Sequence, residues 1–318
     1  MPRFLLIAVF AGFATANAMA EVRVDVIKQP YSGSRNVPEL SINPDYIHAA
    51  GLERLIESWG GKLVRPIQDI RLSEEQDKQY GAWNRLALAN ANFAESVRAT
   101  QSDDLLTVGL EANCNGLLGM LAGLKYDSAG NAQRVGLVFI DAHGDFNVPE
   151  TTLSGMLGGM PVAIAAGHAL HNVRTTSGLS EPLPMSDIVW GGVRDLDPLE
   201  AERFHEYEVQ QFSVDDIRQL SASLYSEIDE LAKRVDVVYV HIDMDVLDPA
   251  EVPGHDLRVA SGPTSKELAA ALKLMFKNPK VVALGIASTP AGPLDPQGVS
   301  RQAALNLIEG AINGVQAR

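Results

Sequence analysis

Cysteine is nearly absent: Cys114 is the single one in 318 residues. A disulfide within the chain is therefore excluded, leaving a buried inert thiol, an intermolecular bridge or a metal ligand. Positive charge is also scarce. Twenty-six Lys and Arg face 40 Asp and Glu, a formal net charge of −14, which argues against a nucleic-acid surface built from basic patches. Beyond the first twenty residues no segment is long and apolar enough to span a bilayer. No G-x-S-x-G elbow supports a serine hydrolase, and the glycines of "SGMLGGMP" (154–161) lack the strand–G-x-G-x-x-G–helix context of a dinucleotide site. Repeats, low-complexity tracts and Pro/Gly linkers are missing too, so a single domain over 21–318 is expected.

What is present begins with "MPRFLLIAVFAGFATANAMA". Arg3, an apolar stretch from Phe4 to Ala14 and the triplet Ala18-Met19-Ala20 read as a secretory signal peptide over 1–20. The expectation is a soluble exported protein, periplasmic or secreted, starting near Glu21; an uncleaved anchor is the alternative. Removal takes away one Arg and no acid, moving the charge from −14 to −15.

Apolar runs then alternate with amphipathic stretches. Strand-like runs occupy 22–28, 62–67, 105–111, 134–141, 187–193, 235–245 and 281–288, and several are almost continuously apolar and rich in Val and Ile. Strands covered on both faces have that composition. Helical spacing occupies 44–60, 213–235, 264–278 and 300–314, with Ser213 and Asp216 at capping-box spacing. The alternation predicts an α/β fold with a parallel sheet between helices, and ligands in such sheets sit beyond the carboxyl ends of strands.

Two of those ends are acidic. "GLVFIDAHGDFN" (136–147) closes on Asp141, His143, Asp145 and Asn147, and "HIDMDVLDP" (241–249) carries Asp243 and Asp245. Residues two apart share a strand face, and adjacent carboxylates that leave water repel each other. A divalent cation removes both penalties. Four carboxylates and an imidazole can hold two, with Asp141 and Asp243 as bridging candidates, and ions roughly 3.5–4 Å apart can share and activate a water. An Asp-rich loop capping a helix explains either motif alone, but explains the pair poorly.

These segments resemble the arginase/ureohydrolase family of arginase, agmatinase and formimidoylglutamase. "DAHGDFN" is similar to its D-x-H-x-D-x-N signature and "HIDMDVLDP" to its S/H-x-D-x-D-x-x-D-P signature, with "TTLSG" (151–155) and "VRDLDPLE" (193–200) in the expected order between them. The resemblance implies a three-layer α/β/α sandwich around a mostly parallel, about eight-stranded sheet. It also implies two manganese ions bridged by hydroxide, and trimers or hexamers. Asp141, His143, Asp145, Asp243 and Asp245 would be ligands, with Asp145 also orienting the nucleophile. Asn147, Ser154 and Asp197 match contacts to the α-carboxylate and α-amino groups of a small-molecule substrate.

Three positions depart from the pattern. Cys114 in "EANCN" (111–115) stands where the family has its sixth ligand, a histidine; a thiolate there would favour zinc, iron, cobalt or nickel. Ala287 stands where a glutamate would bind a guanidinium. Gly158 stands where a histidine would shuttle protons, a task His255 or Glu251 could take over. The implied function is metal-dependent hydrolysis of a C–N bond in a guanidino- or amidino-like compound. The alternative is a relative that binds metal or ligand without turnover.

Overall fold

The computed structural model describes residues 21–33, 41–102 and 104–318; the leader read over 1–20 lies outside them. Among the described residues nine strands are formed: β1 Val22–Gln29, β2 Gly61–Leu63, β3 Gln68–Asp69, β4 Leu105–Glu111, β5 Val135–Ile140, β6 Ile188–Gly191, β7 Gln210–Phe212, β8 Val237–Asp243 and β9 Val281–Ala287. Eight lie in the order β2-β1-β4-β9-β8-β5-β6-β7, and β3 pairs with β1. Every strand pairing is parallel.

The near-continuous apolarity has a structural cause. Every residue of β4, β5 and β9 is buried, because helices cover both faces. Val138, Ile140, Val240, Ile242, Leu284 and Ile286 join one core with the helices 222–234, 265–275 and 299–315; Leu137, Phe139 and Tyr239 join the other with 82–98 and 117–124. Among the described residues no helix is long and apolar enough to cross a membrane.

The structure corrects the expected element boundaries. The helical stretch 44–60 is two helices, Asn43–His48 and Leu52–Ser58, parted where Gly51 adopts φ +81°. The stretch 213–235 also divides, at Leu220 with φ +49°, after which Ser221 caps a new helix. The capping box of Ser213 and Asp216 is formed. The expected strand over 62–67 pairs only through Leu63, and β7 was not legible because only Phe212 of its three residues is buried.

Register aligns the four central strands into rows. Phe139, His241, Gly285 and Gly109 are successive partners across β5, β8, β9 and β4. Two residues further along, Asp243, Ala287 and Glu111 are partners, on the same face. The Glu111 side chain folds down over the glycines. A Cβ on Gly285 would meet the Tyr239 hydroxyl at 2.1 Å and Glu111 Oε1 at 2.6 Å, so only glycine leaves room there. In that space the Tyr239 hydroxyl donates to Glu111 Oε1 (2.8 Å) and lies 2.6 Å from His241 Nδ1, whose ring stacks on Phe139. All three side chains are fully buried. Burial pushes the Glu111 carboxyl up to about 8 and His241 down to about 3, so both favour their neutral forms.

A raised carboxyl contributes stability that is complete below its unfolded value, here 4.5, and is lost as pH rises through about 8. Glu111→Gln is therefore expected to gain thermal stability relative to the parent between those limits, by on the order of a few kcal/mol at pH 8. Melting curves of both proteins in chelator, taken across this range, check it; parallel pH profiles would contradict the assignment.

Candidate metal centre

The carboxyl ends of β4, β8 and β5 deliver the six expected ligands to one place. Strand β5 stops at Ile140, so Asp141, His143 and Asp145 project from a tight loop and not from an extended strand. The loop is held by Ala142 N donating to Asp245 Oδ1 (3.3 Å), His143 N donating to Asp141 Oδ1 (2.8 Å), and Glu200, which accepts from Phe146 N (2.8 Å). Asp145 takes a left-handed φ of +47°, while its carbonyl accepts from Val162 N and Ala163 N at the start of the helix 161–165. Strand β8 ends on Asp243, whose carboxylate accepts from Asp245 N (3.0 Å). Cys114 opens a 3-10 turn after β4, with Asn113 capping it and Asn90 Nδ2 donating to the Asn115 carbonyl.

Ligand atoms of Cys114, Asp141 and Asp145 lie within 4.8 Å of one another, as do those of Asp141, His143 and Asp245, and those of Asp243, Asp245 and His255. His143 Nδ1 is 3.1 Å from Asp245 and 3.3 Å from Asp141. The Cys114 thiol donates to Asp243 Oδ2 at 2.8 Å, and the Ser288 hydroxyl donates to the same oxygen at 2.6 Å. Ser288 does so from a left-handed φ of +60°, a strained conformation of the kind that clusters at functional sites. The Asp145 carboxylate, in a residue only 8% exposed, has no hydrogen-bond partner among the described residues.

Burial is the largest force on every one of these acids, and mutual repulsion adds to it. Asp141, Asp145 and Asp243 are raised by burial and then by neighbouring carboxylates, and Asp245 is raised to about 6. Burial would lower His143, but its hydrogen bonds to Asp141 and Asp245 outweigh this and push it up to about 12. One imidazolium cannot balance four carboxylates. Carboxylates, an imidazole and a thiol are the donors that divalent cations take, so the residues present fit two such ions.

The remaining predicted positions are distributed around this cluster. Asn147 Nδ2 donates to Asp197 Oδ2 (3.2 Å), which brings two of the three substrate-reading candidates into contact. The third, Ser154, is exposed and accepts from Met156 N in its own loop. Gly158 is half-buried beside the Cys114 turn, and a Cβ there would touch only the Met156 side chain, at 3.8 Å. Ala287 is fully buried between Asp243 and Glu111. His255 comes from the long loop after β8, its side chain 10% exposed and its Nε2 3.7 Å from Asp243 Oδ1. Glu251, the other proton-shuttle candidate, instead accepts from Ser265 N at the start of the helix 265–275.

Sequence reasoning missed Ser288 and Arg194. The Arg194 guanidinium donates to the carbonyls of Gly192, Val246, Val259 and Ala260, tying the β6 and β8 loops together over the acids. Arg194 stands within "VRDLDPLE" and Ser288 ends the 281–288 run, but no local pattern shows their roles, because each acts through contacts between loops distant in the chain.

Comparison with known proteins agrees with this geometry. The arginase family profile matches residues 22–312. An arginase from Staphylococcus aureus is 34% identical over 272 residues, covering 83% of this chain and 88% of the relative. Among solved structures, arginase from Bacillus cereus superposes with a TM-score of 0.78 at 24% identity, covering 92% of this chain and 98% of the other. Formimidoylglutamase from Bacillus subtilis superposes at 0.70 with 18% identity over 92% and 87% of the two chains. With its nine-stranded parallel sheet and its acidic cluster at the strand ends, this chain belongs to the arginase family.

Proposed function

We propose that this protein is a dinuclear-metal hydrolase that cleaves a C–N bond of a small guanidino- or amidino-like molecule. The observation that carries the reading is the convergence of Cys114, Asp141, His143, Asp145, Asp243 and Asp245 at ligand distance on the rim of a parallel sheet. The chemistry a bound cation pair supplies is a nucleophilic water at neutral pH, together with charge to stabilise a tetrahedral transition state. The leader-like residues 1–20 support an exported enzyme.

Asp145 is the residue placed to orient that water. Its carboxylate reaches the cluster yet spends no hydrogen bond among the described residues, so both oxygens are available. We read His255 as the residue that would hydrogen-bond the departing nitrogen. Its Nδ1 accepts from Leu257 N (3.2 Å), which leaves the ring proton on Nε2, the atom turned towards Asp243. A metal-ligating imidazole ordinarily donates its second nitrogen and does not accept there; the tautomer therefore favours His255 as proton donor over ligand.

The substrate side is altered. Ala287 presents no carboxylate, and Glu111, its partner one strand away, is turned down onto Tyr239 and held neutral. A guanidinium would find no bidentate acceptor at this wall. The contact between Asn147 and Asp197 leaves a polar edge suited to the amino-acid end of a small substrate.

Purified protein beginning at Glu21 is expected to bind two equivalents of divalent metal and to release urea or ammonia from some member of a guanidino, amidino and formimino panel. Binding of less than one equivalent sinks the reading. Asp145→Asn should abolish turnover while keeping the melting temperature, since the change removes a buried repulsive charge; retained turnover would remove its role. His255→Gln should lower kcat roughly 10²-fold at unchanged metal content. Loss of one metal equivalent in that variant would make His255 a ligand instead.

A further inference from the structure

The two ends of the cluster differ in donor chemistry. One end presents the Cys114 sulfur with Asp141 and Asp145; the other presents the His143 imidazole with Asp141 and Asp245. We propose that the two cations are unlike: the Cys114 end takes a thiophilic ion such as zinc, cobalt or iron, and the His143 end a harder one such as manganese. This rests on the dinuclear reading above and deepens it, because it assigns a different ion to each half of the site.

Three observations carry the inference beyond the presence of a cysteine. The thiol is 2% exposed and its sulfur faces the acids, 2.8 Å from Asp243 Oδ2 and 3.9 Å from Asp141 Oδ2. Asp145, more than nine-tenths buried and with a carboxylate that makes no hydrogen bond among the described residues, shares this end. The turn that carries the sulfur is rigid. Asn90 holds the Asn115 carbonyl, the Asn113 side chain accepts from Asn115 N, and a Cβ on Gly116 would lie 2.4 Å from Glu111 Oε2. The sulfur is thus held where a cation between Asp141 and Asp145 would meet it.

Thiolate donors select zinc, iron and related soft or borderline ions, whereas carboxylate-rich sites suit manganese, and no sulfur reaches the second end. Zinc outcompetes manganese at most N/O sites, so the discrimination is one of order: the sulfur end is filled first by a scarce thiophilic ion, and abundant manganese completes the pair. Ligation converts the thiol to thiolate and releases its proton to solvent. Asp141, common to both groups, would then be a ligand shared by two ions of different Lewis acidity.

The test uses cobalt(II) as the thiophilic probe in metal-free protein supplied with excess manganese. One equivalent of cobalt is expected to remain bound beside one of manganese after gel filtration, with a near-ultraviolet thiolate-to-cobalt charge-transfer band that saturates at that first equivalent. Cys114→Ser should lose the band, and Cys114→His should bind cobalt without the band and without filling one end before the other. Two bound ions with no charge-transfer band would overturn the proposal and leave the dinuclear reading standing, as would random filling of both ends by cobalt. Failure to retain any divalent ion would overturn both.

Discussion

Crowding of four carboxylates at the ends of two adjacent buried strands is the constraint around which this molecule is arranged. Parallel strands sealed on both faces by helices exclude water, so charge can collect only at their rim. There Asp141, Asp145, Asp243 and Asp245 repel one another in a poorly solvated space, and burial raises each of them. The surroundings answer with donors: backbone amides of residues 142, 143 and 245, the Ser288 hydroxyl, the Cys114 thiol and the His143 ring. These suffice to hold the side chains in position but not to neutralise them, which is the condition a cation site requires.

Two of the six left-handed non-glycine positions among the described residues fall in the same region. Asp145 and Ser288 adopt left-handed backbone conformations without being glycine, and both lie at the rim of the acid cluster. Such conformations persist only where packing over-determines them. Glu200 bonded to Phe146 N and the helix start at residues 162 and 163 bonded to the Asp145 carbonyl supply that packing for Asp145. Arg194 does similar work for the opposite loop, by satisfying carbonyls that the turn after β8 would otherwise leave unpaired.

The site keeps the ligand wall of its family while its substrate wall has changed. Ala287 occupies the row between Asp243 and Glu111, and Glu111 cannot stand in for a missing acid because it is folded onto Tyr239 in a cavity that Gly109 and Gly285 open. Cys114 brings a soft donor to one group of acids, and His255 holds a proton on Nε2 beside Asp243. The acids of β5 and β8 keep the pattern of the family resemblance, while Cys114, Gly158 and Ala287 depart from it.

The amino-acid sequence by itself determined the sheet, its parallel sense and the acidic ends of β5 and β8, because continuous apolarity and local motifs are properties of neighbouring residues. It placed Cys114, the five Asp and His ligands and even His255 as candidates for one centre. It could not show that the 141–147 loop abandons strand alternation, since a left-handed Asp145 is imposed by the helix beginning at Pro161. Nor could it separate His241 from the acidic set two residues on, since the cavity that takes its ring is opened by glycines on β4 and β9. The pairing of Ser288 with Asp243, the reach of Arg194 across two loops and the grouping of ligands into unlike ends belong to the tertiary structure alone, because each joins side chains that only the order β4-β9-β8-β5 brings side by side.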